Sequence, residues 1–358
     1  MTLSPEFILQ EMSLDRPARE QVFHLARARR TWPNRLVIGV IFASHIGSLV
    51  GLIFTPTPLM IGSSIPLLSL SMLWSWYLAH DCAHLAVFRH RRLNVGLGEL
   101  LSLINGVAYT SFSAYRVEHL RHHADRTDLL GTDLATLLAA WPPSVVRLLI
   151  RLETFYVPVL FYVIKLRTIK KAIMGGSAGE RVRATLCVVI YGALFHTLLV
   201  ASIASLAALF AASFIRIHVV RFVDAFQHSY DQIDPDASNI SLHSRAYELR
   251  NTFSLPVARK WTVANIFILN FGFHCAHHMT PSCPWYALPN LHVLLQQYEH
   301  GVSIDSRESD TPFVALLRAY HRGRIVRILS RSEGHPYDDQ GRFDIERFVG
   351  AFTDKLLG

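Results

Sequence analysis

The clearest pattern along the chain is the alternation of long apolar stretches with basic, polar ones. Two stretches contain no Asp, Glu, Lys or Arg: Leu36 to His80 and Ala184 to Ile215. A helix needs about 20 apolar residues to cross a bilayer, because each residue advances it by about 1.5 Å. Each stretch is long enough to cross at least once, and we expect an all-α integral membrane protein.

The first stretch is long enough for two spans. Thr55-Pro56-Thr57-Pro58 interrupts it near the middle, and proline both fixes the backbone and removes a hydrogen-bond donor. We therefore predict membrane helices over about residues 36–54 and 59–79.

Three short histidine clusters flank the apolar stretches. They are His80 and His84; His119, His122 and His123; and His274, His277 and His278. The second and third clusters share the offsets 0, 3 and 4, which lie on one face of a helix, so three imidazoles can converge on one point. Clusters of this kind in three distant segments suggest that folding gathers them around a common metal centre.

A shared metal centre decides the topology of the second apolar stretch. A single span would put His274 to His278 across the membrane from the other clusters, where no common site could form. We therefore predict a hairpin over about residues 184–201 and 203–220, although no strong turn signal marks its middle. The predicted fold has four transmembrane helices in two hairpins, with interfacial helices and a cytosolic helical cap that holds the metal site.

The remaining segments divide the chain into three predicted parts. These are a cytosolic N-terminal segment (1–33), a membrane and catalytic domain (34–295) and a cytosolic helical tail (296–358). Within the middle part, residues 93–115 are expected to return to their own side of the membrane, because the clusters on either side must meet. Residues 257–273 are expected to form an apolar helix leading into the third cluster.

Composition supports the membrane assignment and argues against other classes. Of the 358 residues, 51% are hydrophobic and 17% charged, and the mean hydropathy is +0.27. The formal charge of +8 comes from residues outside the apolar stretches, as expected for cytoplasmic loops, and no nucleic-acid recognition motif accompanies it. The N-terminus lacks a signal-peptide pattern. The four cysteines show no disulfide-like spacing, which favours a reducing compartment.

Eight clustered histidines exceed what one metal ion takes, so we expect two ions. Catalytic zinc commonly uses three protein ligands, and imidazole also suits iron, copper and nickel. The membrane setting favours iron, because a lipid presents unactivated C–H bonds. Attack on such bonds needs dioxygen and a redox metal rather than a Lewis acid.

The three clusters, in this order and separated by apolar hairpins, resemble the boxes of the membrane fatty acid desaturase and hydroxylase superfamily. The matching segments are His-Asp-Cys-Ala-His at 80–84, His-Leu-Arg-His-His at 119–123 and His-Cys-Ala-His-His at 274–278. The resemblance spans about residues 35–295 and is strong for a bacterial branch with Asn251-Thr252-Phe253-Ser254 and Pro284-Trp285-Tyr286 near the last boxes. Carotenoid hydroxylases and ketolases and the terminal-alkene-forming fatty acid decarboxylases have similar boxes.

This resemblance implies a non-haem di-iron enzyme whose two Fe²⁺ ions lie in a cytosolic cap. It implies that the eight box histidines are iron ligands. It also implies a ninth ligand just after the fourth helix, here His228, and a polar residue near the iron four positions earlier, here Asp224. Asparagine is common at that earlier position in the acyl-CoA branch, so Asp224 leaves the substrate class open.

The expected activity is an O₂-dependent desaturation of a long-chain acyl lipid. Hydroxylation or ketolation of a carotenoid or alkyl chain, and oxidative decarboxylation to terminal alkenes, are the alternatives within the superfamily. A non-catalytic membrane metal-binding protein is the alternative from another class, and it predicts ionisable groups along the spans. The location expected is a membrane that the chain crosses several times, the inner membrane if the source is bacterial, with the site on the cytosolic face.

Electrons for such a reaction are expected from a separate carrier. The chain contains no flavin or nicotinamide glycine motif, so a ferredoxin, rubredoxin or cytochrome b5 type of donor is implied. Lys165 to Arg183 offers a basic face that an acidic carrier could find electrostatically.

Several polar residues near the clusters are candidates for supporting roles. Asp81, Glu118 and Asp128 could orient imidazoles through the second ring nitrogen. Cys82 and Cys275 lie inside clusters, but on helices they should point away from the histidine face, so we do not expect them to bind metal.

Overall fold

The computed structural model describes most of the chain. The described residues are 16–27, 30–129, 134–230, 232–233, 243–258, 262–298, 313–329, 344–345 and 348. Within these residues the protein is helical apart from one pair of two-residue strands. The predicted all-α fold class is confirmed.

The first membrane hairpin follows a short N-terminal helix. Its elements are α1 (Arg16–Arg27), α2 (Thr31–Phe54) and α3 (Pro58–Ala83). Thr57 caps α3, because its side chain accepts a hydrogen bond from a backbone N–H of the first turn. Pro58 occupies the start of the helix, where a missing N–H costs nothing. The turn therefore lies at the proline-rich break in the sequence.

The next two helices return the chain to the histidine-bearing end of α3. They are α4 (Arg91–Ile104) and α5 (Phe112–Asp125), and both contact α3. In the turn between them, the Asn105 side-chain amide donates to the Ser75 hydroxyl at 2.7 Å. This segment returns rather than spans, so the second histidine cluster lies beside the first.

The second membrane hairpin follows three further helices. The three helices are α6 (Leu134–Ala139), α7 (Pro143–Thr154) and α8 (Val159–Gly175). The hairpin consists of α9 (Ala178–Ala201) and α10 (Ile203–Asp224). Ser177 and Glu180 form a reciprocal capping box at the start of α9. Ser202 alone separates α9 from α10. Its backbone is extended (φ −172°, ψ 138°), and its side chain accepts from the N–H of Ala204.

A short parallel pairing joins the loops that follow α5 and α10. The strands are β1 (Asp128–Leu129) and β2 (Gln232–Ile233), with Asp128 opposite Gln232. Because β1 comes directly after the second cluster and β2 directly after His228, the pairing brings these parts of the site together.

The C-terminal part consists of short helices around the third cluster. The elements are α11 (Arg245–Asn251), α12 (Thr262–Asn265), a 3₁₀ turn (Ile266–Ile268), α13 (His274–Met279), a second 3₁₀ turn (Trp285–Ala287), α14 (Leu288–Tyr298) and α15 (Phe313–Leu329). The continuous helix predicted over residues 257–273 is wrong. Leu269 and Asn270 adopt left-handed conformations (φ 45° and 58°), which end the 3₁₀ turn before the cluster begins.

Four helices are long and apolar enough to cross a membrane: α3, α9, α10 and the helical run that ends with α2. Large apolar side chains on them face outward, such as Leu59, Val189 and Ile203, which are 82%, 61% and 76% exposed. Lipid can cover such side chains at no cost. The protein is an integral membrane protein in which α3 is central, since it packs against α2, α4 and α10.

Candidate metal centre

Nine histidines from four separate segments meet at one end of the membrane helices. The segments are the C-terminal end of α3 (His80, His84), α5 (His119, His122, His123), the turn after α10 (His228) and α13 (His274, His277, His278). Seven of the nine are buried, and His119 and His123 are half-buried. Helical offsets of three and four orient the imidazoles of each segment, and the packing of α5 and α13 against the end of α3 brings the segments together.

Five of these histidines form the first group that could hold a metal ion. They are His80, His84, His119, His123 and His277, and one ring nitrogen from each lies within 4.8 Å of those of the others. The Nε2 atoms of His84 and His119 are 2.7 Å apart, and those of His123 and His277 are 3.3 Å apart. Two nitrogens bound to one ion at about 2.1 Å each lie about 3 Å apart. The group could therefore hold a metal ion.

The second group adjoins the first. His122, His228 and His278 bring three ring nitrogens within 4.8 Å of one another. His274 belongs to neither group by this measure, but its Nε2 lies 2.6 Å from Nε2 of His228. The rings of His123 and His278 connect the groups, with centroids 4.2 Å apart. Two adjoining groups of imidazoles can hold two ions.

Unsatisfied nitrogen atoms support metal binding. The Nε2 atoms of His80 and His278 are buried and have no hydrogen-bond partner among the described residues. A buried polar atom without a partner costs about 1–3 kcal/mol, and a metal ion would remove that cost. A set of imidazoles that leaves lone pairs pointing at one another fits an iron, copper, nickel or zinc ion.

Electrostatics favour the neutral form of several of these imidazoles. Burial, and then the neighbouring histidines, hold the pKa of His84, His277 and His278 well below the usual value. The same causes lower the pKa of His123 and His274. Since only the neutral ring offers a lone pair to a metal, the site is ready for ligation at neutral pH.

Two carboxylates lie against histidines of the second group. Nδ1 of His278 lies 3.0 Å from Oε1 of Glu248, whose Oε2 accepts from the Arg126 guanidinium at 2.8 Å. Nδ1 of His122 lies 2.9 Å from the carbonyl oxygen of Thr127 and 3.2 Å from Oδ1 of Asp128. A proton on each Nδ1 leaves Nε2 free for a metal.

Asp81 has a comparable place beside the first group. Its Oδ1 lies 3.6 Å from Nδ1 of His80, and its Oδ2 accepts from the backbone N–H of Trp285 at 3.0 Å. Of the three carboxylates that sequence spacing suggested, Asp81 and Asp128 face imidazoles, whereas Glu118 is exposed. The thiol of Cys275 donates to the carbonyl of Thr252 at 3.1 Å.

A cavity opens beside the histidines. Trp76, Tyr77, Val220, Val223 and Phe271 form its apolar wall, and its polar lining includes His80, His119, His122, Asp128, Asp224, Gln227, His228 and His274. Asp224 is the last residue of α10, one helical turn before His228. The apolar wall suits an aliphatic group, and the histidines put that group next to the metal centre.

A comparison with protein families agrees with this geometry. The family model described as fatty acid desaturase matches residues 55–308, which is more than half of the chain and contains all nine histidines. The chain belongs to the fatty acid desaturase family. Desaturases of this family are di-iron enzymes, in agreement with the two adjoining groups of imidazoles. No curated protein sequence matches the chain.

Two site residues of this desaturase-family chain were missed by sequence reasoning. Glu248 lies with His123 and His278 in a further group that could hold a metal ion, and it is 2% exposed. Gln227 lines the cavity and is also 2% exposed. Glu248 lies 26 residues before the third cluster, so no helical spacing connects it to a box. For Gln227, the only signal is its position next to His228.

Proposed function

We propose that this chain is a di-iron oxidase that uses dioxygen to desaturate a long aliphatic chain in the membrane. The observation that carries the proposal is the pair of adjoining histidine groups beside an apolar cavity at the ends of membrane helices. When bound, two irons and dioxygen supply the oxidising power needed to remove hydrogen from unactivated C–H bonds.

The two groups suggest which residues hold which ion. We assign the first ion to His80, His84, His119, His123 and His277, and the second to His122, His228, His274 and His278. Glu248 and Asp128 would hold two of the second ion's ligands in the required tautomer. Glu248 is also close enough to serve as a ligand itself.

The residues of the cavity have separate roles in this proposal. Trp76, Val223 and Phe271 bind the aliphatic chain and exclude water from it. Asp224 lies in the same wall as His228, where a carboxylate could accept or hold a proton released during the reaction. If so, Asp224→Asn should lower product formation while both irons stay bound. Loss of iron from this variant would instead assign Asp224 a structural role.

The distribution of basic residues supports a cytosolic metal centre. Arginines concentrate at the metal-bearing ends of the helices: Arg89, Arg91, Arg92, Arg116 and Arg121. The opposite turns, residues 55–57 and Ser202, contain no lysine or arginine. Since lysine and arginine accumulate on the cytoplasmic side of membrane proteins, the metal end is expected to face the cytosol.

An acidic electron carrier remains the proposed partner, but its docking face is smaller than the sequence suggested. Arg183 is paired with Glu99 at 2.7 Å, and burial beside Arg216 lowers the pKa of Lys165 to about 8. The exposed cations of the segment are Arg167, Lys170, Lys171 and Arg181. Replacing the last three with glutamine should weaken the salt dependence of electron delivery, and an unchanged dependence would remove this face from consideration.

Metal analysis and product analysis together test the proposed function. Purified protein should contain about two irons per chain, and a host that expresses it should accumulate lipids with a new double bond detectable by mass spectrometry. His278→Ala should lose iron and product, whereas the exposed His90→Ala should keep both. Stoichiometric zinc with no new product would refute the proposal. A hydroxylated lipid or a terminal alkene would assign another reaction to the same site.

A further inference from the structure

Arg216 is an exceptional residue of the membrane domain. It lies within α10, is 2% exposed, and is the bulkiest fully buried side chain of the described residues. Its guanidinium lies between two aromatic rings, 5.0 Å from the ring centroid of Trp76 and 5.4 Å from that of Phe161. An ionisable residue inside a membrane helix is costly, and for this reason most such residues serve binding or transport.

No anion balances Arg216 within the described part of the chain. Its guanidinium forms no ion pair or hydrogen bond with a described residue, and its buried Nε has no partner there. Other arginines nearby are paired: Arg221 with Glu153 at 2.9 Å, and Arg183 with Glu99 at 2.7 Å. Ring contacts offset part of the cost of a buried guanidinium, by about 2 kcal/mol or more for a desolvated contact. Arg216 therefore differs from these two arginines, because its charge has no carboxylate partner among the described residues.

A second cation faces the same region. Lys165 lies one helical turn after Phe161 on α8, so it shares the helix face that contacts Arg216, and its ammonium lies 5.5 Å from the ring centroid of Tyr191. Lys165 also makes no ion pair with a described residue. The turn between α4 and α5 leaves room for the Lys165 ammonium because it contains Gly106 (φ 71°). Any other residue at this position would place its Cβ 3.1 Å from the Lys165 Nζ. Two cations without a carboxylate create a site that attracts an anion.

The position of this site connects it to the metal cavity. Arg216, Val220 and Val223 follow one another at helical offsets 0, 4 and 7, so they share one face of α10. Val220 and Val223 line the cavity, and Arg216 lies about 6 Å further along the helix axis, at about 1.5 Å per residue. Trp76 both lines the cavity and contacts Arg216. A chain attached to an anion at Arg216 could therefore extend along the apolar wall toward the histidines.

We infer that Arg216 and Lys165 bind the carboxylate of an unesterified long-chain fatty acid, whose alkyl chain occupies the cavity. The planar fork of arginine matches a carboxylate with two parallel hydrogen bonds. Arg216 is buried, and Trp76 and Phe161 lie against its guanidinium, so a small head group suits this position better than a nucleotide or glycerophosphate head. The inference deepens the proposed function, on which the identification of the cavity as the substrate site rests.

Equilibrium binding tests this inference without any turnover. The full-length protein in detergent is titrated with radiolabelled hexadecanoic acid, and then with its methyl ester as competitor, under conditions in which the acid is ionised. The ester keeps the alkyl chain but has no charge. The wild-type protein should bind the acid at least about tenfold more tightly than the ester, a difference of about 1.4 kcal/mol.

Variants locate that preference. Arg216→Met should weaken acid binding by about tenfold or more, to the level of the ester, and leave ester binding unchanged. Lys165→Met should produce a smaller loss in the same direction, and Arg216→Lys an intermediate one, because an ammonium keeps the charge but not the fork. Arg167→Gln, an exposed neighbour of Lys165 on α8, is the matched control and should bind like the wild type.

The melting temperature separates a binding role from a structural one. Removing an unbalanced buried charge should leave the melting temperature of Arg216→Met unchanged or higher. Equal binding of acid and ester to the wild type, or a preference for the acid that survives in Arg216→Met, would overturn the inference. These results are independent of the proposed function. Iron content and product formation test the proposed function. A protein that prefers the acid but makes no product would refute the proposed function and leave the inference standing.

Discussion

Glu248 shows how strongly the histidines depend on a residue outside the boxes. Its two carboxylate oxygens contact different partners, the Nδ1 of His278 at 3.0 Å and the guanidinium of Arg126 at 2.8 Å. Arg126 ends α5 in a left-handed conformation (φ 57°), with its N–H bonded to the carbonyl of His122. A single carboxylate thus connects the helix that carries the second cluster to the helix that carries the third.

Replacing Glu248 should weaken the second metal site in particular. Glu248→Gln keeps the shape but offers no charge to His278, and loss of an orienting partner of this kind typically costs about 10- to 100-fold in metal affinity. Iron retained per chain during a chelator challenge should fall from about two toward one. Glu118→Gln, on the exposed side of α5, is the control and should retain both ions. Full retention by Glu248→Gln would show that His278 does not need this carboxylate.

The buried histidines also predict how acid affects the metal-free protein. Because burial lowers their pKa values in the folded state, the unfolded chain takes up protons below about pH 6.5 while the folded protein does not. The free energy of unfolding should be greatest above that pH and fall as the pH is lowered toward the folded pKa values. The slope is up to about 1.4 kcal/mol per pH unit for each such histidine.

Thermal melting of metal-free protein, recorded from about pH 7.5 to about pH 5.5, measures this effect. The melting temperature should decrease on acidification. A melting temperature that stays constant or rises would mean that the imidazoles titrate as if exposed.

Single residues divide clearly into those that spacing predicts and those that it does not. The eight box histidines follow from offsets of three and four, because helical geometry alone places them on one face. Asp81 and Asp128 follow from their position beside a box histidine. Glu248 and Arg216 do not follow from spacing, since their roles depend on contacts between helices that are distant in sequence.

The segment before the third cluster is an element whose conformation follows from tertiary contacts. Its apolar residues suggest a helix, yet Leu269 and Asn270 are left-handed. The side-chain amide of Asn270 donates to the carbonyl of Trp285 at 3.0 Å, and a Cβ on Gly272 would lie 2.7 Å from the carbonyl oxygen of Leu255. These contacts stabilise the turn against helix propensity. They also leave α13 six residues long, just enough to carry its three histidines.

The last described helix depends on a different kind of contact. Arg324 on α15 is 4% exposed, and its guanidinium donates to the backbone carbonyls of Glu153 and Thr154 at the end of α7. It also lies 3.8 Å from the ring centroid of Tyr156. Carbonyls at a helix C-terminus have no partner within the helix and carry partial negative charge, so a guanidinium stabilises them.

Arg324→Ala should therefore destabilise the docking of α15 by about 2 kcal/mol, because charged hydrogen bonds to buried carbonyls are lost. A lower melting temperature and faster proteolysis near residues 313–329 are the expected results. Arg318→Ala, an exposed position on the same helix, should change neither. If Arg324→Ala melts like the wild type, the contacts to α7 do not hold the helix.

The arrangement of the whole molecule in the membrane can be tested by chemical labelling. The four cysteines of the chain are all buried, so a new exposed cysteine can be labelled over a low background. A membrane-impermeant maleimide applied to intact cells should label Thr55→Cys, in the turn between α2 and α3, and leave Arg89→Cys unlabelled.

Inverted membrane vesicles provide the matching control for this experiment. In them the pattern should reverse, with Arg89→Cys labelled and Thr55→Cys protected. Labelling of both positions from the same side would exclude the two-hairpin arrangement. Labelling of Arg89→Cys but not of Thr55→Cys in intact cells would agree with the two hairpins but place the metal centre outside the cytosol.

The sequence by itself determined the membrane character of the protein, its four spans and the identity of the clustered histidines. These properties depend on local quantities, namely hydrophobic length and helical offset, which neighbouring residues set. Only the tertiary structure decided which imidazoles share a site, which carboxylate orients His278, and where Arg216 lies relative to the cavity. Those relations join segments up to about 200 residues apart, such as His80 and His277. They depend on how whole helices pack, because a group of ligands exists only where the ends of several helices meet.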